Sequence, residues 1–267
     1  MTTLSGLQRN SVDEFYTHPD IAGQCVRMLE EMNYPIDLYV EPSAGNGSFL
    51  SHLDRPYLAF DIQPGSDEIY QADYLEMPIP PQWQEQETWT IGNPPFGRQS
   101  CLAKRFIKRA CQYSTGIAFI LPLSFKKASM FRAFDTAFHL VHEWEVPRDS
   151  FVLDGQPYTV PCVFQIWKRM DYPRAVTPVA TTTDFEFLRK EDPEVMIAFR
   201  RVGGTAGTLN INIEDCNPQC YYFLRVNIDM ERFCQRVQRI QWERNTVGPR
   251  SISKGELVDK YCAIIDS

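Results

Sequence analysis

The chain has 267 residues, 43% of them hydrophobic, which is enough for one large domain or for one domain with a smaller companion. No apolar run reaches transmembrane length, the N-terminus lacks a secretory signal, and eight cysteines without a CxxC pair predict free thiols and no metal site. The net charge of −7 disfavours a polyanionic partner for the molecule as a whole. We expect an intracellular protein, with cytoplasm, nucleus and nucleoid all open, as is a phage or viral origin.

The first part of the chain alternates predicted helices and strands. Apolar residues share one helical face over 21–32, and Thr17 with Asp20 is typical of an N-terminal cap, with Pro19 in the first turn. The runs DLYVE, YLAFDI, ETWTIG and GIAFILPLSF are predicted strands, and an amphipathic helix is predicted over 100–114. A later run, FVLDGQPYTVPCVFQIWKR, alternates around a hairpin turn. Because strands that alternate with helices form parallel sheets, we predict an α/β, Rossmann-like fold with a mostly parallel central sheet.

The composition of the sequence changes after about residue 174. The run YPRAVTPVATTTD is rich in proline and threonine, which predicts a linker. Residues 184–267 contain short strand-like pieces, EVMIAFRRV and YYFLRV, and one helical stretch over 229–243. We therefore predict a small α+β unit at the C-terminal end.

A loop of small residues, EPSAGNGSFL, follows one predicted strand and is expected to open a helix. Its Gly45 and Gly47 permit positive φ and a close approach of a ligand to the backbone. Three acids, Glu41, Asp61 and Asp73, stand at the carboxyl ends of successive predicted strands, where open sheets bind their ligands. An acid after the second strand can accept from both hydroxyls of a ribose, and a third acid can accept from an exocyclic amine.

The three acids suit a nucleoside that carries hydroxyls, an amine and a positive charge. S-adenosylmethionine fits them better than NAD or ATP, and the GKS/T of a phosphate-binding P-loop is missing from the sequence. The alternative interpretation is that Asp61 and Asp73 are turn residues and helix caps.

Three motifs in this order, FYTHPDIA, EPSAGNGSFL and NPPF, resemble the amino-group methyltransferases of the adenine-N6 type. Their order resembles the gamma group of DNA methyltransferases, and the resemblance covers residues 13 to about 168. Similar NPPF boxes occur in RNA adenine-N6 methyltransferases and in protein glutamine methyltransferases. The resemblance implies a Rossmann-like S-adenosylmethionine-binding domain over 1–174. It leaves 175–267 as a substrate-recognition region that matches no named domain.

The resemblance also implies cofactor roles. Tyr16 and Thr17 are expected to close over the methionine part of S-adenosylmethionine, Asp61 to bind the ribose, and Asp73 to accept from the adenine amine. Ile62 is expected to pack on the adenine ring, beside Tyr74. The full set comes from the lead-in, the glycine loop and the two strand ends: Tyr16, Thr17, Glu41, Pro42, Ala44, Gly45, Gly47, Asp61, Ile62, Asp73 and Tyr74.

The NPPF box, Asn93 to Phe96, is suited to activating an exocyclic amine, whose lone pair is delocalised into its ring. The side-chain oxygen of Asn93 and the carbonyl of Pro94 can accept from the two N–H bonds of that amine, and Pro95 stiffens the loop. Phe96 offers a flat face for stacking, worth about 1–3 kcal/mol. Attack on a sulfonium methyl then depends on positioning, and the base must leave any helix it sits in. The alternative interpretation of NPPF is a strand terminator.

Candidate substrate contacts follow the box. Residues 96–132 carry 8 basic and no acidic side chains, whereas residues 1–95 carry 3 basic and 15 acidic ones. A basic surface there would attract phosphates, although a solvated helix face explains the block equally well. Lys126 and Lys127 are candidate phosphate contacts, with a solvated loop as the alternative. Phe151 is a candidate second aromatic against the flipped base, with core packing as the alternative.

We therefore expect the transfer of a methyl group from S-adenosylmethionine to the N6 amine of adenine in nucleic acid, DNA rather than RNA. An RNA adenine-N6 methyltransferase is the nearest alternative, followed by a protein glutamine methyltransferase and a non-catalytic binding subunit. The sequence indicates no membrane partner and no oligomeric state. Arginines of the C-terminal region could serve substrate choice there: Arg200, Arg201, Arg225, Arg232, Arg236 and Arg239.

Overall fold

A computed structural model describes residues 15–153, 155–176, 180–242 and 249–265. The chain divides into two compact units, Met1–Val176 and Thr177–Ser267. Within the described residues, no helix combines the length and the apolar character that a membrane crossing requires.

A seven-stranded sheet forms the centre of the first unit. Its strands are β2 (Leu38–Glu41), β3 (Tyr57–Asp61), β4 (Tyr70–Gln71), β5 (Thr88–Gly92), β6 (Gly116–Pro122), β7 (Phe138–Glu145) and β10 (Cys162–Arg169). They lie in the order β4-β3-β2-β5-β6-β10-β7, and β10 alone runs against the other six. The order reverses between β2 and β5, which makes their carboxyl ends the topological switch point. The predicted mostly parallel, Rossmann-like fold is confirmed.

The burial of this sheet explains its composition. Strands β2, β5 and β6 are buried along their whole length, as expected for parallel strands covered on both faces. Two helices, α1 (Pro19–Glu30) and α2 (Cys101–Ala110), pack their apolar faces into the same core.

Two local predictions in the first unit are wrong. The N-cap of α1 is His18, whose ring accepts from the backbone N–H of Asp20 at 3.3 Å, whereas Thr17 lies in a strand. After the glycine loop the chain forms only a short 3-10 turn, Leu50–His52, where a helix was expected to start. Pro56 cannot continue a helix and β3 begins directly after it, so the segment has no room for a longer one.

A three-stranded antiparallel sheet holds the lead-in segment. It contains β1 (Tyr16–Thr17), β8 (Phe151–Leu153) and β9 (Gln156–Tyr158), and the last two form the predicted hairpin. The pairing sets Thr17 opposite Phe151 and Tyr16 opposite Val152. It thereby ties the lead-in to a segment more than 130 residues later in the chain.

The second unit is α+β. Its antiparallel strands are β11 (Phe185–Leu188), β12 (Ile197–Arg200), β13 (Leu209–Asn210) and β14 (Tyr221–Val226), in the order β11-β14-β12-β13. Two helices, α3 (Met230–Arg239) and α4 (Lys254–Ile265), complete the unit. Residues of both helices share one apolar cluster with the sheet, among them Phe185, Phe199, Leu224, Phe233 and Tyr261.

Candidate active site

Two neighbouring cavities lie at the carboxyl ends of β2, β3 and β5. The first, of about 50 Å³, is lined by the lead-in, the glycine loop and the first three residues of the NPPF box. The second, of about 410 Å³, is lined by the end of β3, by residues 72–76 and by part of α2. Ser43, Asp61 and Pro95 line both cavities, so the two adjoin at the switch point, and together they are called the trough.

The glycine loop adopts the backbone that its sequence predicts. Gly45 has a φ of +56° and Gly47 a φ of +80°, both in the left-handed region that favours glycine. A Cβ on Gly45 would lie 2.8 Å from Cε1 of Tyr16. The Tyr16 ring therefore packs directly on the loop, and a side chain at position 45 would push it away.

Asp61 is fixed in the wall between the two cavities. It is 3% exposed, its Oδ2 accepts from the Gly45 N–H at 2.9 Å, and its Oδ1 accepts from the Gln63 N–H at 2.8 Å. The carboxylate is thus oriented by the backbone at a position that both cavities reach.

Glu41, at the end of β2, is the most deeply buried acid of the site. Burial, and secondarily the charge of Asp61, raise the pKa of its carboxyl to about 8. No described residue hydrogen-bonds its Oε2, and a Cβ at position 92 would lie 3.2 Å from its Cγ, so only glycine leaves room for it there. Near neutral pH the carboxyl is therefore mostly protonated, and a cation arriving in the first cavity would favour its ionisation. The sequence did not indicate this protonation.

The Asn93 amide has one atom bonded and the other without a partner. Its Nδ2 donates to Oγ1 of the buried Thr17 at 3.2 Å, and Ser43 Oγ donates to its backbone carbonyl at 3.3 Å. Its Oδ1 is buried and accepts from no described residue. Asn93, Pro94 and Pro95 all line the first cavity. A buried acceptor without a donor is costly, and a donor from a bound molecule would remove that cost.

An aromatic cluster adjoins the NPPF box. Its central ring belongs to Phe15, which was not among the predicted site residues. Phe96 is 7% exposed and lines neither cavity, and its ring contacts that of Phe15 with centroids 5.5 Å apart. The Phe15 ring also contacts Phe151 at 4.9 Å and Tyr158 at 5.8 Å. Phe15 lines the first cavity, whereas Phe151 is fully buried. The open face expected on Phe96 is therefore covered in this conformation.

The second cavity is mainly apolar, and the acids Asp61, Asp73 and Glu76 are among its lining residues. Ile62, Asp73 and Tyr74 line it, and Asp73 Oδ1 accepts from the Leu75 N–H at 2.9 Å. The buried Tyr74 ring stacks on Phe106 at 5.2 Å, and its hydroxyl lies 2.8 Å from that of Tyr113. The cavity is large enough for a planar heterocycle, and its walls are held rigidly.

Two of the basic side chains of residues 96–132 already form ion pairs with acids of this unit. The Lys126 ammonium pairs with Glu145 and lies 3.7 Å from Glu143 Oε1, and the Glu145 hydrogen bond raises the pKa of Lys126. Arg105 pairs with Glu76 at 3.3 Å. Neither Lys126 nor Lys127 lines the two cavities. A phosphate at Lys126 would have to displace two carboxylates.

The trough fits a cationic nucleoside by its own chemistry. It offers two buried oxygens without a described partner, a glycine cradle, an oriented carboxylate and an apolar slot. Among the described residues, no group of three or more His, Cys, Asp and Glu side chains gathers as metal ligands.

No protein-family model and no curated protein matches the chain. Among solved structures it is similar to a candidate RNA methyltransferase of Pyrococcus horikoshii (12% identity, TM-score 0.48, 61% of this chain and 90% of that one). It is also similar to a candidate class I S-adenosylmethionine-dependent methyltransferase of Listeria monocytogenes (16%, 0.43, 65% and 66%). A third is the methyltransferase subunit of a type I restriction-modification system from Streptococcus thermophilus (16%, 0.43, 58% and 45%). The chain thus spans less than half of that subunit.

Proposed function

We propose that the protein transfers a methyl group from S-adenosylmethionine to the N6 amine of adenine in DNA. The observation that carries this proposal is the Asn93 Oδ1, a buried acceptor without a described donor, in a cavity shared with the glycine loop. An acceptor at this position can take a hydrogen bond from an amine beside the bound cofactor.

Different residues of the trough bind different parts of the cofactor. In this proposal the glycine loop and the Glu41 carboxyl hold the methionine part, and Tyr16 covers it. Asp61, already oriented by two backbone N–H groups, binds the ribose hydroxyls. The apolar slot with Ile62 and Asp73 holds the adenine. The cofactor supplies an electrophilic methyl on sulfur.

The chain's own contribution to the reaction is positioning and hydrogen-bond acceptance. Asn93 Oδ1 and the carbonyl of Pro94 accept from the two N–H bonds of the target amine, which favours a localised lone pair on nitrogen. The adjacent Pro95 restricts the loop, so the acceptors are set before the reaction. No nucleophilic side chain and no covalent intermediate on the protein is needed.

RNA is the nearest alternative substrate, and a protein glutamine side chain is the next, because both present an amide or amine that the same acceptors could bind. Of the three similar structures described above, one is named for RNA and one for restriction-modification. A non-catalytic subunit is disfavoured by the unpartnered acceptors, since a binding role has no use for their desolvation cost.

Labelled S-adenosylmethionine offered with DNA, RNA or protein, followed by mass analysis of nucleosides and peptides, tests the proposal. We expect label in N6-methyladenine from DNA. The Asn93→Ala variant should lose transfer, by roughly 100-fold or more, because removing one preorganised hydrogen-bonding group costs on the order of 10²–10³ in rate. Its affinity for S-adenosylmethionine, measured by calorimetry, should persist.

The matched control is Asn212→Ala, an exposed asparagine of the second unit. It should transfer methyl groups at the unaltered rate. Loss of cofactor binding in Asn93→Ala, or label found only in RNA or protein, would refute the assignment.

A further inference from the structure

The second unit contains a cavity of about 340 Å³ where β11 ends and β14 begins. Its walls combine half-buried aromatic rings with basic side chains, and they lie entirely within that unit. We propose that this cavity binds a nucleotide of a single-stranded nucleic acid. The choice of ligand rests on the proposed function, whereas the test below reads binding without requiring methyl transfer.

The floor of the cavity is aromatic. The rings of Phe187 and Tyr222 meet edge to face with centroids 5.4 Å apart, and both side chains remain half-buried. Phe185, on the same strand as Phe187, and Phe199, on β12 beside β14, are almost completely buried in the core of the unit. The two partly open rings therefore offer a surface on which a base can stack without sequence preference.

Cations stand over these rings. The Lys254 ammonium lies 4.6 Å from the Phe187 centroid and 5.7 Å from that of Tyr222, and the Arg201 guanidinium lies 5.1 Å from that of Tyr222. Arg189 is exposed at the rim. Within the described part of the chain, no ion pair holds Lys254 or Arg189. Their charges are thus available to a phosphate.

Three other basic residues of the unit are already engaged. Arg225 pairs with Glu186 and Glu194, and Arg236 pairs with Asp184. The ammonium of Lys190, which also lines the cavity, donates to the carbonyls of residues 214 and 216, at 2.8 Å each. Two of the arginines that the sequence offered for substrate choice are therefore neutralised, whereas Lys254 and Arg189 offer two cations at this cavity against the one exposed acid that lines it, Glu191.

Rings and cations together select the ligand class. A phosphodiester draws the Lys254 ammonium off the Phe187 and Tyr222 rings and pairs with it and with Arg189, and the base that it carries takes the place of the ammonium on the ring faces. An acidic peptide could use the cations but would leave the rings unused. The cavity volume suits a single nucleotide rather than a folded partner.

The test uses the full-length protein and fluorescein-labelled single-stranded DNA and RNA, with affinity read by anisotropy over a salt series. Lys254→Gln and Arg189→Gln should each weaken binding, by roughly tenfold at low salt. Each should also reduce the slope of log affinity against log salt by about 0.7, the value for one lost contact to single-stranded phosphate. Phe187→Leu keeps an apolar side chain and should weaken binding while leaving the salt slope unchanged.

Arg27→Gln is the matched control, an exposed arginine on α1 that does not line the cavity. It should bind like the unaltered protein. The inference is overturned if the 267-residue chain binds no oligonucleotide, or if Lys254→Gln and Arg189→Gln keep both affinity and slope. It also fails if Arg27→Gln loses as much as they do, or if an acidic peptide competes as well as an oligonucleotide.

Calorimetry with S-adenosylmethionine separates the two proposals. A protein that binds no cofactor but shows these oligonucleotide effects would refute the methyltransferase and retain this site. A protein that methylates DNA while its Lys254 and Arg189 variants bind unchanged would refute this site alone.

Discussion

Thr17 holds the Asn93 amide by its nitrogen, and that single bond determines which amide atom is left for a ligand. The Thr17 hydroxyl accepts from Nδ2 at 3.2 Å, so the oxygen is the atom without a partner. An amide held the other way would present two donors to an amine that itself donates. Orientation of this side chain is therefore as important to the proposed reaction as its presence.

Replacing Thr17 by valine preserves shape and removes the acceptor. We expect the maximal rate of methyl transfer to fall on the order of 100-fold, the effect of a small misplacement of a positioned group. Thr17→Ser keeps a hydroxyl and should restore most of the rate. Single-turnover measurements at saturating cofactor compare the two variants, and equal rates in both would exclude the orienting role.

Glu41 makes the stability of the protein depend on pH in a defined direction. Its carboxyl has a pKa of about 8 when folded, against an ordinary value of 4.5. Between these values the folded protein holds a proton that the unfolded chain releases, so its contribution to stability is complete below 4.5 and is lost as the pH rises through 8. Each pH unit in this window is worth at most about 1.4 kcal/mol.

A Glu41→Gln variant, which cannot ionise, should lack this contribution to the pH dependence. We expect its free energy of unfolding in urea to rise relative to that of the unaltered protein between pH 5 and pH 8, in the absence of ligand. A difference that stays constant with pH would show that Glu41 is ionised in the folded protein.

The sequence predicted which residues lie around the trough better than it predicted their protonation and their neighbours. Asp61, Asn93 and the glycines could be recognised from the sequence, because acids, amides and glycines at the ends of predicted strands and in tight turns are typical of ligand sites. The protonation of Glu41 and the ring of Phe15 beside the NPPF box depend on neighbours far along the chain, through burial and through the pairing of β1 with β8. Single-sequence patterns carry no such information.

At the scale of elements, the buried parallel strands were predictable and the edge strands were not. Strands β2, β5 and β6 are continuous apolar runs, the pattern of a fully covered sheet. Strand β7, with the sequence FHLVHEWE, is only half-buried at the sheet edge, and its histidines and glutamates gave no clear strand pattern. Missing β7 also hid the partners of Lys126.

Because β7 supplies Glu143 and Glu145 to Lys126, the ammonium is neutralised where it stands. We expect Lys126→Ala to change the affinity for single-stranded oligonucleotides less than twofold, since a committed cation releases few counterions. Anisotropy under the same salt series as above measures this. A larger loss, with a reduced salt slope, would restore Lys126 as a phosphate contact.

At the scale of the molecule, the chain consists of two units, each with its own hydrophobic cluster. The composition change after residue 174 signalled the second unit, but only two of its four strands and one of its helices had a recognisable pattern. Strand β13 has two residues and α4 follows a segment without a clear helical signal, so both depend on tertiary packing. The assignment of cofactor binding to one unit and recognition to the other remains a prediction.

The melting temperature of the protein tests whether the first unit binds the cofactor as proposed. A ligand that binds only the folded state stabilises it by about 2.7 kcal/mol at a concentration of 100 times its Kd. S-adenosylmethionine should therefore raise the melting temperature of the unaltered protein, and equally that of Asn93→Ala, which keeps the cofactor contacts. Asp61→Asn keeps the shape of the side chain but removes the charge and one of the two oxygens that accept from Gly45 and Gln63, so the shift should shrink strongly. Differential scanning calorimetry with and without the cofactor makes the comparison, and an undiminished shift in Asp61→Asn would remove the ribose role from this residue.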